Sequence, residues 1–187
     1  MADVKQVVTP ERYSQGLTYE GFLSQIAANR ERFQESDAAF QLSPADAQFF
    51  RDMVRRQGPL KVLALAVDWS PECHRYLPVM AKIAQDSGME LRIFPRDENP
   101  DIMNLYLNKG KFMSVPVLAF FDEDWKPLCH WTERPAGATA FRNEVGAELA
   151  AKNLTPEERR SEMRGRSAPL VDGWRAEAVR ELKELLS

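Results

Sequence analysis

The sequence predicts an α/β fold: a central β-sheet flanked by helices, with further helices at both ends of the chain. Three observations carry that prediction. Up to about residue 58 the apolar residues recur at helical spacing, and near residue 60 they change to short, nearly unbroken runs. Those runs alternate with helix-length amphipathic segments in the order β-α-β-α-β-β-α. Beyond residue 153 a polar stretch leads into one last amphipathic helix. A chain of 187 residues suits one sizeable unit with appendages rather than two equal domains. The expected divisions are a helical segment over 1–58, an α/β domain over 59–152, and a tail with a docking helix over 153–187, all packed as one globular unit.

Each element has its own local reason. In "LTYEGFLSQIAANRERF", Thr18 is a natural N-cap, and Tyr19, Phe22, Leu23, Ile26 and Phe33 fall near one helical face. In "QLSPADAQFFRDMVRRQG", Ser43 caps, Pro44 takes the first helical position, Phe49, Phe50, Met53 and Val54 form the apolar stripe, and Gly58 ends the helix. "LKVLALAV" (60–67) reads as a central strand covered on both faces. A helix from Pro71 to Ser87 follows, closed by Gly88. "MELRIFP" (89–95) is the second strand, and "PDIMNLYLNKG" (100–110) a short helix closed by Gly110. "VPVLAFF" (115–121) and "KPLCHWTE" (126–133) form a hairpin through the turn "DEDW". A helix over about 138–152 comes next. "LTPEERRSEMRGRSAPLVDG" reads as a solvated stretch broken by Pro and Gly, and the last helix carries Trp174, Ala178, Leu182 and Leu185 on its stripe.

Composition narrows the function classes. Hydrophobic residues make up 44% and charges of both signs are mixed, which is the balance of a soluble globular protein. A net charge of −3 gives no reason to invoke nucleic acid or an anionic membrane surface. No apolar run approaches the roughly 18–20 residues that span a bilayer, and "MADVKQVVTPERYSQG" lacks the apolar centre of a secretory signal. Two cysteines, Cys73 and Cys129, do not make a disulfide scaffold, so a reducing, cytoplasmic setting is expected. No cofactor is implied. No metal site is implied either: Cys73-His74 and Cys129-His130 are adjacent pairs without zinc-ligand spacing.

The stretch with chemistry in it is "DWSPECHRYLP" (68–78). Ser70 is a favoured N-cap, Pro71 is favoured at the first helical position, and Glu72 suits the positive end of the helix dipole. Cys73 shares a stripe with Leu77, Met80 and Ala84 that faces the core, where a free cysteine is ordinarily an inert small hydrophobe. The functional alternative rests on the same helix start. Its unpaired N–H groups carry about half a positive charge, which favours a thiolate. Cys73 is then a monothiol, or Ser70 donates a hydrogen bond to a bound thiolate.

Taken with "SVPVL" (114–118), this motif and the element order resemble the thioredoxin superfamily, in particular bacterial thioredoxin-like proteins with a helical N-terminal extension. Three features carry the resemblance over about 58–150. Trp69 immediately precedes the four-residue motif; Pro78 stands five residues after Cys73, where the family's active-site helix has its kink; and Val115-Pro116 opens the third strand, where the family has a cis-proline facing the site. The resemblance implies a thioredoxin-like fold and a thiol-redox site. Its reactive residues are Cys73 and Ser70, its substrate-binding residues Trp69, Pro71, Glu72, Val115 and Pro116, and its partner a thiol- or disulfide-containing protein or a small thiol. The sequence departs from the family twice: Ser70 replaces the attacking cysteine, and Ala64 stands where a buried carboxylate often assists proton transfer. One cysteine cannot close a disulfide within the motif. Dithiol–disulfide exchange is therefore expected to be weak or lost, with a redox-inactive binding module, its groove beside Pro116, as the alternative.

Overall fold

Lys61–Ala66 forms strand β1 at the centre of a four-stranded mixed sheet. The computed structural model describes residues 4–187, so residues 1–3 of the expected N-terminal segment lie outside the described residues. Strands β2 (Glu90–Pro95), β3 (Val117–Phe121) and β4 (Pro127–Thr132) complete the sheet in the order β2-β1-β3-β4. β1 runs parallel to β2 and antiparallel to β3, and β3 pairs antiparallel with β4, with Leu118 opposite Trp131. Val62 to Ala66 are wholly buried, as a strand covered on both faces requires.

Among the described residues ten α-helices surround the sheet: α1 Val4–Val7, α2 Pro10–Ser14, α3 Tyr19–Gln25, α4 Arg30–Ala39, α5 Pro44–Gln57, α6 Pro71–Ser87, α7 Pro100–Met103, α8 Ala136–Ala150, α9 Pro156–Ser167 and α10 Val171–Leu185. Of these, α6 has the most unusual setting. It packs on β1 and β2, and α4, α5 and α10 pack on it in turn. That double coverage explains why Tyr76, Leu77, Val79, Met80, Ile83 and Ala84 are all buried: a helix covered all round is apolar nearly all round.

The chain ends are stitched to this centre. Leu17 exchanges two 2.8 Å backbone hydrogen bonds with Ile93 on the outer edge of β2. Gly16 makes that approach possible, because a Cβ there would come within 2.6 Å of the Phe94 ring. α10 docks through buried Trp174, Ala178, Val179 and Leu182. Buried Arg175 donates to Ser36 Oγ at 2.9 Å, and Lys183 to Asp46 Oδ1 at 2.7 Å. α10 also completes α8, whose cap position is Pro135 and has no side chain to offer. Glu181 and Glu177 accept from the orphan N–H groups of Ala136 (2.8 Å) and Gly137 (2.9 Å).

Four expectations change. The run over 18–33 is two helices, because Ile26 is extended and Asn29 lies in the left-handed region at φ 56°. The helix expected over 100–110 stops at Met103, and a turn bridging Asn108 and Phe112 takes its place. The polar stretch after 153 contains a full helix, α9, set by a capping box in which Thr155 and Glu158 satisfy each other's backbone N–H groups. At the C-terminus Leu185 is exposed and Leu186, one residue past the helix, is buried instead.

Candidate functional site

Residues 67–73 turn the chain from β1 into α6. Ser70 has extended backbone angles, and its side chain accepts the Cys73 N–H at 3.4 Å. Pro71 occupies the first helical position and is exposed. Ahead of the cap, Asp68 ties the loop down: its carboxylate accepts the Ala28 N–H at 3.0 Å, and its carbonyl accepts the Asn29 side-chain amide at 3.1 Å. The break between α3 and α4 is thus a clamp on the residue next to Trp69.

Trp69 itself is 56% exposed. The Arg96 guanidinium sits 5.0 Å from its ring centroid and donates to the Met113 carbonyl at 3.2 Å, joining the two sides of the site. Across from Trp69, Val115 and Pro116 are buried and the peptide bond between them is cis. The Glu133 N–H donates to the Pro116 carbonyl at 2.7 Å.

Cys73 is fully buried below this surface. Its Sγ accepts the Val67 N–H at 3.5 Å. Two influences compete for the thiol. The Val67 and Ser70 contacts and the Arg96 charge favour the thiolate, while burial, aided by Glu72, opposes it. Burial wins and pushes the pKa up to about 12. The helix N-terminus contributes at most about 2 kcal/mol to a nearby anion, which does not offset losing water altogether. Cys129, half-buried on β4, is likewise raised, to about 11, and both cysteines are free. His74 packs edge-on to Phe33 and is lowered to about 4 by burial and by Arg75, Arg32 and Arg175.

Glu72 is buried and does not act as a helix-dipole residue alone. Its Oε1 lies 3.2 Å from Arg142 Nη1 in a hydrogen bond and 3.2 Å from Arg134 Nε in an ion pair, the Arg134 N–H pointing off line. Arg134 also pairs with Glu133. Sequence inspection missed this cluster because its members lie about 60 residues apart, on α6, on α8 and in the loop between β4 and α8.

Five of the seven residues singled out from sequence, Trp69, Ser70, Pro71, Glu72 and Val115, line one cleft of about 740 Å³. Cys73 and Pro116 lie beneath its wall. Among the other lining residues, not anticipated from sequence, are Phe112 and Met113 from the loop before β3, Leu149 from α8, and Arg159, Arg160, Met163 and Arg164 from α9. Among the described residues no helix is long and apolar enough to cross a membrane.

Comparison with known proteins agrees with this architecture. A thioredoxin family model matches residues 16–147. A crystallised Pseudomonas aeruginosa protein of unknown function superposes with a TM-score of 0.66 at 14% identity, covering 100% of this chain and 98% of that one. An HIV epitope-scaffold gives 0.65 at 14% identity over 99% and 98%. Both cover the terminal helices as well as the sheet. Fasciola hepatica thioredoxin gives 0.33 at 18% identity over 43% of this chain and 74% of its own. No curated protein matches.

Proposed function

The chain belongs to the thioredoxin family, and on that premise we propose that it is a thiol-redox protein working with one slow thiol. Cys73 is the monothiol, and the Ser70 hydroxyl is its hydrogen-bond partner. Trp69, Pro71, Glu72, Val115 and Pro116 hold the incoming segment of a thiol- or disulfide-containing partner or a small thiol. A reducing, cytoplasmic setting suits such a site. The observation that carries this reading is the thioredoxin family match over residues 16–147, which includes Cys73 at the start of α6 beneath a serine cap. A thiol held protonated there attacks only through its small thiolate fraction, and no neighbouring thiol in the motif resolves the product. Dithiol exchange is therefore weak or lost.

Incubation of the folded protein with glutathione disulfide, followed by mass spectrometry, tests the reading. The expected result is a mixed disulfide on Cys73 that forms slowly, roughly tenfold faster per pH unit and without a plateau below pH 10. Insulin reduction with dithiothreitol should stay at background. Brisk insulin reduction, or a Cys73 that never reacts until the protein is unfolded, would sink it.

The second reading, a redox-inactive binding module, is favoured by a specific observation: the large cleft opens above Ser70, and the thiol does not reach it. Complete inertness of Cys73 together with ligand binding in the cleft is the outcome that would select it.

A further inference from the structure

α9 lies outside the segment matched by the family model, yet it builds one wall of the cleft. Its sequence alternates acids and bases, but the fold sorts them. Arg160, Met163 and Arg164 share one helical face, at spacings of three and four, and all three line the cleft. The acids are used elsewhere: Glu158 closes the capping box at Thr155, and Glu162 pairs with Arg166 outside the cleft. No acidic residue of α9 lines it.

The whole lining repeats this bias. Five arginines face the cleft against two glutamates, Glu72 and Glu133, and Arg134 engages both of these. Among the described residues no ion pair holds Arg160 or Arg164, in a chain whose net charge is −3. The space between the arginines is apolar, with Val115, Leu149 and Met163 in its walls and exposed Phe112 and Met113 at its mouth.

From this geometry we infer that the cleft binds a small amphipathic organic anion. Its carboxylate, phosphate or sulfonate group is held by Arg160 and Arg164, and its apolar body lies along Met163 toward Val115. Guanidinium groups take such anions through paired hydrogen bonds, and an apolar floor gives the body somewhere to leave water. The volume of about 740 Å³ is that of a small-molecule site rather than a folded partner's footprint. The inference rests on the cleft being the ligand site of the preceding section and adds the ligand's class. It does not depend on Cys73 reacting.

The test uses anilinonaphthalene sulfonate, an anionic apolar probe, with uncharged phenylnaphthylamine as its control. Binding is followed by fluorescence and located by amide chemical shifts. The expected result is single-site binding with shifts at Leu149, Met163 and Val115. In R160E/R164E the sulfonate's dissociation constant should rise about tenfold or more, while the neutral probe binds as before. Both side chains are exposed and unpaired, so circular dichroism and melting should match the parent protein. Equal sulfonate affinity in parent and variant, with shifts still in the cleft, overturns the anion assignment and leaves the cleft as a ligand site. Absence of cleft shifts overturns the assignment and the ligand-site reading together, whatever Cys73 does with glutathione disulfide.

Discussion

Helices α6 and α9 begin with nearly the same words, Ser70-Pro71-Glu72 and Thr155-Pro156-Glu157, and face each other across one cleft. At both starts a hydroxyl accepts the N–H three residues on, at 3.4 Å in α6 and 3.2 Å in α9. Thr9-Pro10 and Ser43-Pro44 begin α2 and α5 the same way. Among the described residues Ser70 is therefore one of four such caps, and its identity alone says nothing about thiol chemistry. The difference is in the surroundings. α6 starts under the protein surface, with Ser70 and Cys73 out of water and Glu72 locked to two arginines, whereas α9 starts in solvent. The same cap grammar yields a buried helix start in one place and a solvent-exposed one in the other.

The largest expected contrast is in the carboxylates. Glu72→Ala leaves Arg134, 14% exposed, with Glu133 as its one carboxylate partner among the described residues, and should cost about 3 kcal/mol in urea unfolding, the low end for a broken buried pair. Glu158→Ala should leave the urea midpoint in place and only speed amide exchange in the first turn of α9. Equal midpoint losses would break the contrast.

A second contrast is chemical. Ser70→Cys should produce a reducible disulfide with Cys73, visible as a change in free thiol count under a glutathione redox buffer. Thr155→Cys should stay a free thiol. No redox transition in Ser70→Cys would mean that the two side chains do not approach as the family geometry implies.

The third concerns pH, and its sign follows from burial. His74 has a folded value near 4, below the unfolded value of about 6.5. Its contribution to stability is complete above about pH 6.5 and drains away as pH falls toward 4. Cys73 has a folded value near 12, above about 8.5 unfolded, so its contribution is complete below pH 8.5 and is lost as pH climbs toward 12. Urea midpoints measured across pH should show both slopes, with His74→Gln flattening the acid limb and Cys73→Ser the alkaline one.

The smallest effect belongs to the cap of α9. Thr155→Ala should cost the helix about 1 kcal/mol, read as fraying of its first turn, with little change in the global midpoint.

Much of the fold was legible. Apolar runs located the four strands, and Ser43-Pro44, Ser70-Pro71, Gly58 and Gly88 marked helix ends because each satisfies or terminates backbone groups locally. What was hidden depended on distant partners. The α3–α4 break exists because Ala28 and Asn29 bond to Asp68, some forty residues on. Leu185 fits the helical stripe, yet Leu186 is buried because the chain leaves the helix there. α9 was masked by its polarity, although Thr155 and Glu158 spelled its start; Pro156 belongs at a first helical position, and Gly165 is tolerated inside. Of the candidate site, the α6 motif and Val115-Pro116 were singled out through the resemblance to the thioredoxin superfamily. The arginines could not be found that way, since Arg134 and Arg142 meet Glu72, and Arg164 joins the same cleft, only in three dimensions.

The stitching of α10 sets an order in time. Its partners, α5, α6, α8 and β4, all precede it in the chain, and it supplies the glutamates that finish the start of α8. A ribosome therefore delivers those fifteen residues after every element they pack on. While they are still in the exit tunnel the sheet and α6 have what they need to pair, but the start of α8 lacks the two glutamates that satisfy it. The α8 side of the cleft is therefore finished only after α10 has been made: before that, Ser70 and Cys73 are in place beside a helix whose first turn still lacks its partners.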